Sequence, residues 1–211
     1  DPRWGRVMES TGEDPYLNGL FAAAMVRGYQ GRNNDLTEKG HIAACLKHFA
    51  GYGAPEGGRD YNTVELSERT LREDYLPAYK AAVDAGCALV MTSFNTLNRI
   101  PSTANRWLMQ DVLREEMGFE GVLISDWAAV AELMVHGIAQ DAPQAAELSM
   151  NAGVDIDMST SVYIKNLKQL VEEGRITEEQ IDEAALRVLT LKNKLGLFEN
   201  PLKDGSEEDE Q

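Results

Sequence analysis

The chain is long enough to bury one sizeable core, because it has 211 residues, of which 43% are hydrophobic and 26% charged. Its 35 acidic and 20 basic residues give a formal net charge of −15, which argues against nucleic acid or an anionic membrane as the partner. No run of about 18 apolar residues exists to span a bilayer. Cys45 and Cys87 lie in apolar segments and are predicted to be free core thiols rather than a disulfide or part of a metal site.

The predicted elements alternate between helix and strand along the chain. The first helix is the clearest, because Asp14 and Pro15 are a favourable cap and first-turn pair and Gly31 ends the pattern. In chain order, helices are predicted over 14–31, over 67–85 with a bend at Pro77, over 103–118, up to about 152, over 161–174 and over 177–198. Parallel strands are predicted near 41–48, 88–94, 121–126 and 154–158.

This alternation predicts an α/β fold, since strands separated by helices pair in parallel through right-handed crossovers. Two architectures fit: a doubly wound sheet, and a (β/α)8 TIM-type barrel that is incomplete because its first strands lie upstream of residue 1. A doubly wound nucleotide-binding sheet would require a G-x-G-x-x-G or a Walker pattern after its first strand. The loop after Phe49 has glycines but contains neither pattern. The incomplete barrel is therefore preferred.

Polar side chains at the strand ends also favour the barrel, because barrel enzymes carry their reactive groups at the carboxyl ends of several strands. The alternative for Ser93, Asn95 and Asp155, and for Asp126, is that each caps a helix or turn. Two adjacent cationic or titratable groups are harder to explain structurally, since burying them without a partner is costly. The four strands end, in order, on Lys47 and His48, on Ser93 and Asn95, on Ser125 and Asp126, and on Asp155 and Asp157.

Several long segments together resemble one enzyme family, glycoside hydrolase family 3, the retaining β-glucosidases and their relatives. They are "DPRWGRVMESTGEDPYL", "LKHFAGYGAPEGGRDYNTVELS", "VMTSFNTLNRIPSTANRWLMQDVLREEMGFEGVLISDW" and "GLFENP". The "EGGRDYNTVELS" and "FNTLN" stretches are most similar to the bacterial periplasmic β-glucosidase branch. The resemblance implies that 1–198 is a partial catalytic barrel and that 199–211 is an acidic linker toward a second α/β sandwich domain.

Residue by residue, the resemblance implies that Asp126 is the catalytic nucleophile. A retaining glycosidase needs one ionised carboxylate to attack the anomeric carbon and a protonated carboxyl about 5 Å away to protonate the leaving oxygen. Nearby cations would keep Asp126 ionised, polar donors would hold the sugar hydroxyls, and an aromatic ring suits the apolar face of a pyranose. The residues implied to contact the sugar are Arg6, Lys47, His48, Arg59, Phe94 and Trp127.

Two departures from the family pattern affect the expected activity. Phe94 stands where many members carry a tyrosine, so it is expected to be a pocket wall. The loop after "KHF" contains no histidine, unlike the N-acetylglucosaminidase branch, whose acid/base histidine lies there. The acid/base is therefore expected in the second domain, and these 211 residues alone are expected to turn over glycosides poorly, because general acid catalysis contributes about 10²- to 10⁴-fold.

Two other functions stay open at the level of sequence. Lys47 at a strand end could belong to a Schiff-base aldolase, although this leaves Arg6, Arg59 and the SDW motif unexplained. A carbohydrate-binding barrel without catalysis is the second alternative. No cofactor or metal is indicated, since Asp155 and Asp157 have no histidine or cysteine partners nearby. The expected partners are a β-linked oligosaccharide or glycoside and the second domain of the same protein; a homodimer, the sugar identity and the compartment stay undetermined.

Overall fold

The computed structural model describes residues 1–202, so most of the predicted linker lies outside the described residues. Its α-helices are α1 (Pro15–Gln30), α2 (Glu68–Thr70), α3 (Leu76–Asp84), α4 (Ala129–Val135), α5 (Ala142–Ala152), α6 (Val162–Glu172) and α7 (Glu178–Lys194). Two further helical segments have π-type hydrogen bonds, π1 (Leu71–Tyr75) and π2 (Trp107–Glu116). The strands are β1 (Cys45–Phe49), β2 (Thr63–Val64), β3 (Leu89–Thr92), β4 (Thr96–Leu97), β5 (Ile100–Pro101) and β6 (Val122–Ile124).

The helix ends follow local side-chain chemistry, as predicted. Asp14 accepts hydrogen bonds from the first free amides of α1, and Gly31 follows its last residue with φ of 76°. Thr177 and Gln180 form a capping box at the start of α7. Near Pro77, where a bend was predicted, the π-type segment π1 joins α2 to α3. Proline lacks an amide hydrogen, so the regular hydrogen-bond pattern cannot continue through the first turn of α3.

The main sheet is parallel, with strand order β1-β3-β6. β3 is central, and Leu89 pairs with Cys45 on one side and with Val122 on the other. The α/β class and the parallel pairing are therefore confirmed. Within residues 1–202 the main sheet has three strands and does not close on itself, so its assignment to an incomplete (β/α)8 barrel stays a prediction.

The fourth predicted strand, 154–158, is reduced to one parallel bridge between Ile124 and Ile156. The cause is the side chain of Asp155, whose Oδ2 accepts a hydrogen bond from the Leu123 amide at 2.8 Å. In a regular ladder that amide would bond to a backbone carbonyl of the next strand. The carboxylate therefore replaces the pairing that would have extended the strand.

A second, small sheet was not predicted. It consists of β2, β4 and β5, with β2 parallel to β4 and β4 antiparallel to β5. Its hairpin turns at Asn98 and Arg99, which have φ of 49° and 72°, as a two-residue hairpin turn requires. Two-residue strands carry no periodicity, so the sequence pattern had no signal for them. The sheet fixes the loop after β3 against the loop after β1.

The two largest hydrophobic clusters among residues 1–202 account for most of the buried interior. One packs the main sheet against π2 and includes Phe49, Val90, Leu108, Leu113 and Leu123. The other lies between α4, α5 and α6 and includes Val130, Leu133, Ala146, Tyr163 and Leu170. The carboxyl ends of β1, β3 and β6 lie at one edge of the sheet, because these strands are parallel. No helix in the described part of the chain is both long and apolar enough to cross a lipid bilayer.

Candidate active site

Three predicted residues meet at the carboxyl edge of the main sheet. His48 lies in β1, Asp126 follows β6, and Arg6 comes from the segment that precedes α1. His48 Nε2 is 3.5 Å from Asp126 Oδ2 and 3.2 Å from Arg6 Nη2. His48 and Asp126 are each 8% exposed. The structure therefore brings Arg6, His48 and Asp126 into one cluster.

The Asp126 carboxylate uses only one of its oxygens in the fold. Oδ1 accepts a hydrogen bond from the Trp127 amide at 2.6 Å, whereas the buried Oδ2 has no hydrogen-bond partner within residues 1–202. Buried polar atoms are normally paired, so an unpaired carboxylate oxygen at a sheet edge indicates a functional group. Nor does Asp126 cap α4 with its side chain.

The electrostatics of Asp126 differ from the sequence-based expectation. Burial raises the pKa of this carboxyl, while the Trp127 amide and the charges of Arg6 and Lys47 act in the opposite direction. The two cations favour the ionised form, as predicted, but desolvation outweighs them because the side chain is almost completely covered. The ionised carboxylate is therefore less stable in this site than in water, and it is correspondingly more basic.

Arg6 is held by a residue that sequence reasoning missed. Glu9 accepts from Arg6 through two parallel hydrogen bonds, of 2.7 Å from Nε and 2.8 Å from Nη2. The guanidinium also lies over the Tyr52 ring, 5.4 Å from its centroid. The bond to Glu9 raises the pKa of Arg6 and lowers the pKa of the Glu9 carboxyl. Arg6 is thus a fixed cation with donors left for a ligand.

His48 is a neutral imidazole at neutral pH. Its burial, together with the charges of Arg6 and Lys47, lowers its pKa to about 4. Its contact with Asp126 is therefore not an ion pair at neutral pH, and one ring nitrogen can donate while the other accepts. The Tyr79 hydroxyl donates to the His48 carbonyl at 2.5 Å. This bond fixes the backbone of His48, from which the imidazole ring extends.

We expect the His48 imidazole to titrate near pH 4 when its ring resonances are followed by NMR. The unfolded chain, with an ordinary histidine pKa of about 6.5, binds the proton between these pH values and the folded chain does not. The contribution of His48 therefore lowers the free energy of unfolding as the pH falls from about 6.5 to 4. A His48 titration midpoint above 6 would contradict the neutral assignment.

The other residues predicted to contact the sugar differ in how much they are exposed. Lys47 is exposed and Arg59 is exposed on the loop after β1, and neither makes a hydrogen bond or ion pair with the residues that the structure describes. The charge of Lys47 still reaches Asp126, whereas Arg59 is not brought into the cluster. Trp127 is 65% exposed beside the nucleophile candidate, and Phe94 is buried.

An aromatic cluster beside His48 joins the predicted Phe94 to two aromatic residues that the sequence did not indicate, Trp4 and Tyr52. Trp4, Tyr52 and Phe94 pack together with Ala129, and the Tyr52 ring is 5.1 Å from the His48 ring. Asp60 accepts from Trp4 Nε1 at 2.9 Å, which ties the loop after β1 to the Arg6 segment. The only signal in the sequence was that Trp4 and Tyr52 lie close to the predicted contacts Arg6 and His48 along the chain. Closeness along the chain does not reveal that the two rings contact each other.

The other polar residues at the strand ends form hydrogen bonds within the fold. Ser93 donates to Ser102 Oγ at 2.9 Å and Asn95 donates to the Ala50 carbonyl at 3.2 Å, so neither caps a helix. Asp157 accepts from the first amides of α6, at 2.8 Å from Val162. The expectation that Asp155 lies at the same edge is wrong.

Asp155 lies at the amino end of β6 because it pairs there with two arginines. Its Oδ2 accepts from Arg114 Nη2 at 2.9 Å and its Oδ1 accepts from Arg187 Nη1 at 2.9 Å. Arg114 also donates to the carbonyls of Phe119 and Gly121, which precede β6. Across residues 1–202, no group of three histidine, cysteine, aspartate or glutamate side chains is placed to hold a metal ion.

Comparison with known proteins identifies the family to which the chain is similar. The model of the glycosyl hydrolase family 3 N-terminal domain matches residues 1–191. A periplasmic β-glucosidase of Salmonella typhimurium is 44% identical over 201 residues, which are 95% of this chain and 26% of that protein. A β-xylosidase of Formosa agariphila is 40% identical over 94% of this chain and 29% of its own length.

Solved structures give the same result. The crystal structure of a β-glucosidase from Listeria innocua in complex with glucose superposes with a TM-score of 0.97 and 58% identity, covering 99% of this chain and 29% of that one. The chain thus spans less than a third of the length of these relatives. With the family model matching most of its length, the chain belongs to glycosyl hydrolase family 3 and corresponds to the N-terminal domain of that family.

Proposed function

We propose that the protein containing this chain is a retaining β-glycosidase, specifically an exo-acting β-glucosidase, with Asp126 as its nucleophile. The observation that carries the proposal is the buried, unpaired Oδ2 of Asp126 beside His48 and Arg6. The glucose preference is supported by the Salmonella and Listeria relatives, both named as β-glucosidases, of which the latter was crystallised with glucose.

The proposed reaction has two steps. Asp126 Oδ2 attacks the anomeric carbon while the bond to the leaving oxygen breaks, and a protonated carboxyl transfers its proton to that oxygen. The resulting glycosyl ester is then hydrolysed by a water molecule, whose proton returns to the same carboxylate. Arg6, Lys47 and His48 would donate to or accept from the sugar hydroxyls during both steps.

We assign the acid/base carboxyl to a second α/β sandwich domain of the same protein, with 1–198 forming the partial barrel and 199–211 leading toward that domain. The Schiff-base alternative is disfavoured because a catalytic lysine must lose its proton by desolvation, whereas Lys47 is exposed. A sugar-binding barrel without catalysis predicts binding and no covalent intermediate.

Covalent trapping tests the proposal. The protein, in the longest form that its gene encodes, is incubated with 2,4-dinitrophenyl 2-deoxy-2-fluoro-β-glucoside, and the intact mass and the peptides are analysed. We expect a single glycosyl adduct on the peptide containing Asp126, because the good leaving group reduces the need for an acid and the fluorine slows hydrolysis of the ester.

The variant Asp126→Asn should form no adduct, whereas Glu132→Gln, which changes a neighbouring carboxyl, should still form it. Sugar binding without any adduct in the unmodified protein would overturn the nucleophile assignment and favour the binding barrel. A borohydride-trapped adduct on Lys47 would instead identify an aldolase.

A further inference from the structure

Tyr61 occupies an unusual position on the loop after β1. Its φ is 61°, in the left-handed region that a bulky side chain rarely adopts. Asp60 Oδ1 holds this backbone by accepting from the Tyr61 amide at 3.2 Å and from Trp4 Nε1 at 2.9 Å. Sparsely populated backbone conformations persist where the surroundings impose them, and they cluster at ligand-binding sites.

The ring of Tyr61 is supported from one side and open on the other. Its centroid is 4.4 Å from that of Phe94, so one face of the ring is fixed by a buried neighbour. The residue is nevertheless 48% exposed. The Tyr61 ring contacts a buried phenylalanine and its backbone has an unusual conformation, yet the ring faces solvent. Core packing does not explain this combination.

Tyr61 also lies near the candidate nucleophile. Phe94 follows β3 and Asp126 follows β6, and these strands are paired neighbours in the sheet. Tyr61 contacts Phe94 with the two rings tilted by 56°, and it lies close enough to Asp126 for the charge of that carboxyl to act on the phenol. Burial raises the pKa of Tyr61, and the charges of Asp60, Glu132 and Asp126 raise it further.

Exposure divides the site into two sides. The side chains of His48, Asp126 and Arg6 are only 7%, 11% and 25% exposed, so they form a polar inner end. Tyr61 and Trp127 are 48% and 65% exposed and form an aromatic outer end. In an exo-acting enzyme the sugar that is transferred enters the inner end, and the leaving unit projects outward.

We propose that Tyr61 binds the leaving-group unit of the substrate, so that its ring contacts the second pyranose, on the leaving side of the bond that is cleaved. The proposal rests on the function proposed above. The ligand is a neutral β-linked sugar, whose apolar C–H face suits an aromatic ring and whose hydroxyls can reach the phenol. Tyr61 would thereby select a sugar as the leaving unit.

Two substrates separate this role from the reaction itself. A β-linked glucose disaccharide has a leaving sugar, whereas 2-deoxy-2-fluoro-β-glucosyl fluoride has only fluoride and reports the attack of Asp126. In the full-length protein, we expect Tyr61→Ala to lower kcat/KM for the disaccharide by about 10-fold or more, with most of the change in KM. The rate of inactivation by the glucosyl fluoride should change by less than about 3-fold.

A structural role is tested with Tyr61→Asn, because asparagine tolerates the left-handed conformation. We expect this variant to keep the Tm of the unmodified protein while it loses disaccharide activity as Tyr61→Ala does; Tyr61→Phe should retain most of that activity because it keeps the ring. The matched control is Tyr16→Ala, which removes a 74% exposed tyrosine from α1. It should change neither kcat/KM for the disaccharide nor the rate of inactivation by the glucosyl fluoride.

Each of the other outcomes overturns the inference. Unchanged disaccharide kinetics in Tyr61→Ala would show that the ring does not contact the leaving unit. Equal losses on both substrates would place Tyr61 in the attack on the transferred sugar, and a large loss of Tm in Tyr61→Asn would make its role structural. If the glucosyl fluoride failed to label Asp126 in the unmodified protein, the proposed function would fail instead.

Discussion

Asparagine in place of Asp126 is expected to lower kcat/KM on an aryl β-glucoside by about 10⁴-fold or more, because the amide oxygen cannot form the glycosyl ester. The measurement is the initial rate at substrate concentrations below KM. Binding of glucose, measured by calorimetry, should remain, since Arg6, Lys47 and His48 are unchanged. The matched control is Asp111→Asn, an exposed carboxyl on π2, and it should retain full activity.

The same substitution is expected to stabilise the fold at neutral pH. Burial raises the pKa of Asp126 above its value in the unfolded chain, so folding favours the protonated carboxyl and the ionised form lowers stability as the pH rises. The neutral amide removes this cost. We expect a gain of about 0.5 to 2 kcal/mol in the free energy of unfolding, seen as an increase in Tm by calorimetry.

The gain has a defined pH dependence. When the pH falls through the pKa of Asp126, the native carboxyl also becomes neutral, so the difference in Tm between the two proteins should shrink. A lower Tm for Asp126→Asn at pH 7 would contradict the desolvation argument. Residual activity above about one hundredth of the unmodified rate would contradict the nucleophile assignment, because general acid catalysis and binding alone do not supply it.

Alanine in place of Asp155 is expected to be strongly destabilising, by about 3 to 5 kcal/mol, because it leaves two partly buried arginines without their shared partner. The Asp155 side chain is 1% exposed and the Arg114 side chain 10% exposed. Burial raises the pKa of Asp155 and lowers the pKa of Arg114 in spite of their attraction. The ion pairs therefore offset desolvation only while all three partners remain. Urea unfolding, followed by circular dichroism, gives the free energy.

The control for this prediction is an exposed ion pair. Asp111 is 3.4 Å from Arg106, and both side chains are largely exposed, so Asp111→Ala should cost less than about 0.5 kcal/mol. If Asp155→Ala does not fold, Arg187→Met tests the same network, since it removes one partner and keeps the pair with Arg114; we expect an intermediate loss. Losses below about 1 kcal/mol in Asp155→Ala would show that the two arginines find water or other partners.

The sequence was sufficient where the physical cause is local. Asp14, Gly31 and the Thr177–Gln180 box mark helix ends because each satisfies backbone groups within a few residues of itself. Continuous apolar runs predicted β1, β3 and β6, since buried parallel strands are covered on both faces. The family resemblance further identified Arg6, His48 and Asp126, which the structure brings together.

Contacts between distant parts of the chain were decided only by the tertiary structure. Asp155 and Asp157 look alike in sequence, but one binds two arginines at the amino end of β6 and the other caps α6. The bonds of Glu9 to Arg6 and of Asp60 to Trp4, and the stacking of Tyr61 on Phe94, likewise left no pattern in the sequence.

The sequence by itself thus determined the α/β class, the helix ends and the identity of the candidate nucleophile. The tertiary structure decided which groups surround that nucleophile, and with them the pKa shifts of Asp126 and His48. The physical reason is that desolvation and charge interactions depend on distances through space. These distances are set by how the strands and loops pack, and no local residue pattern encodes them.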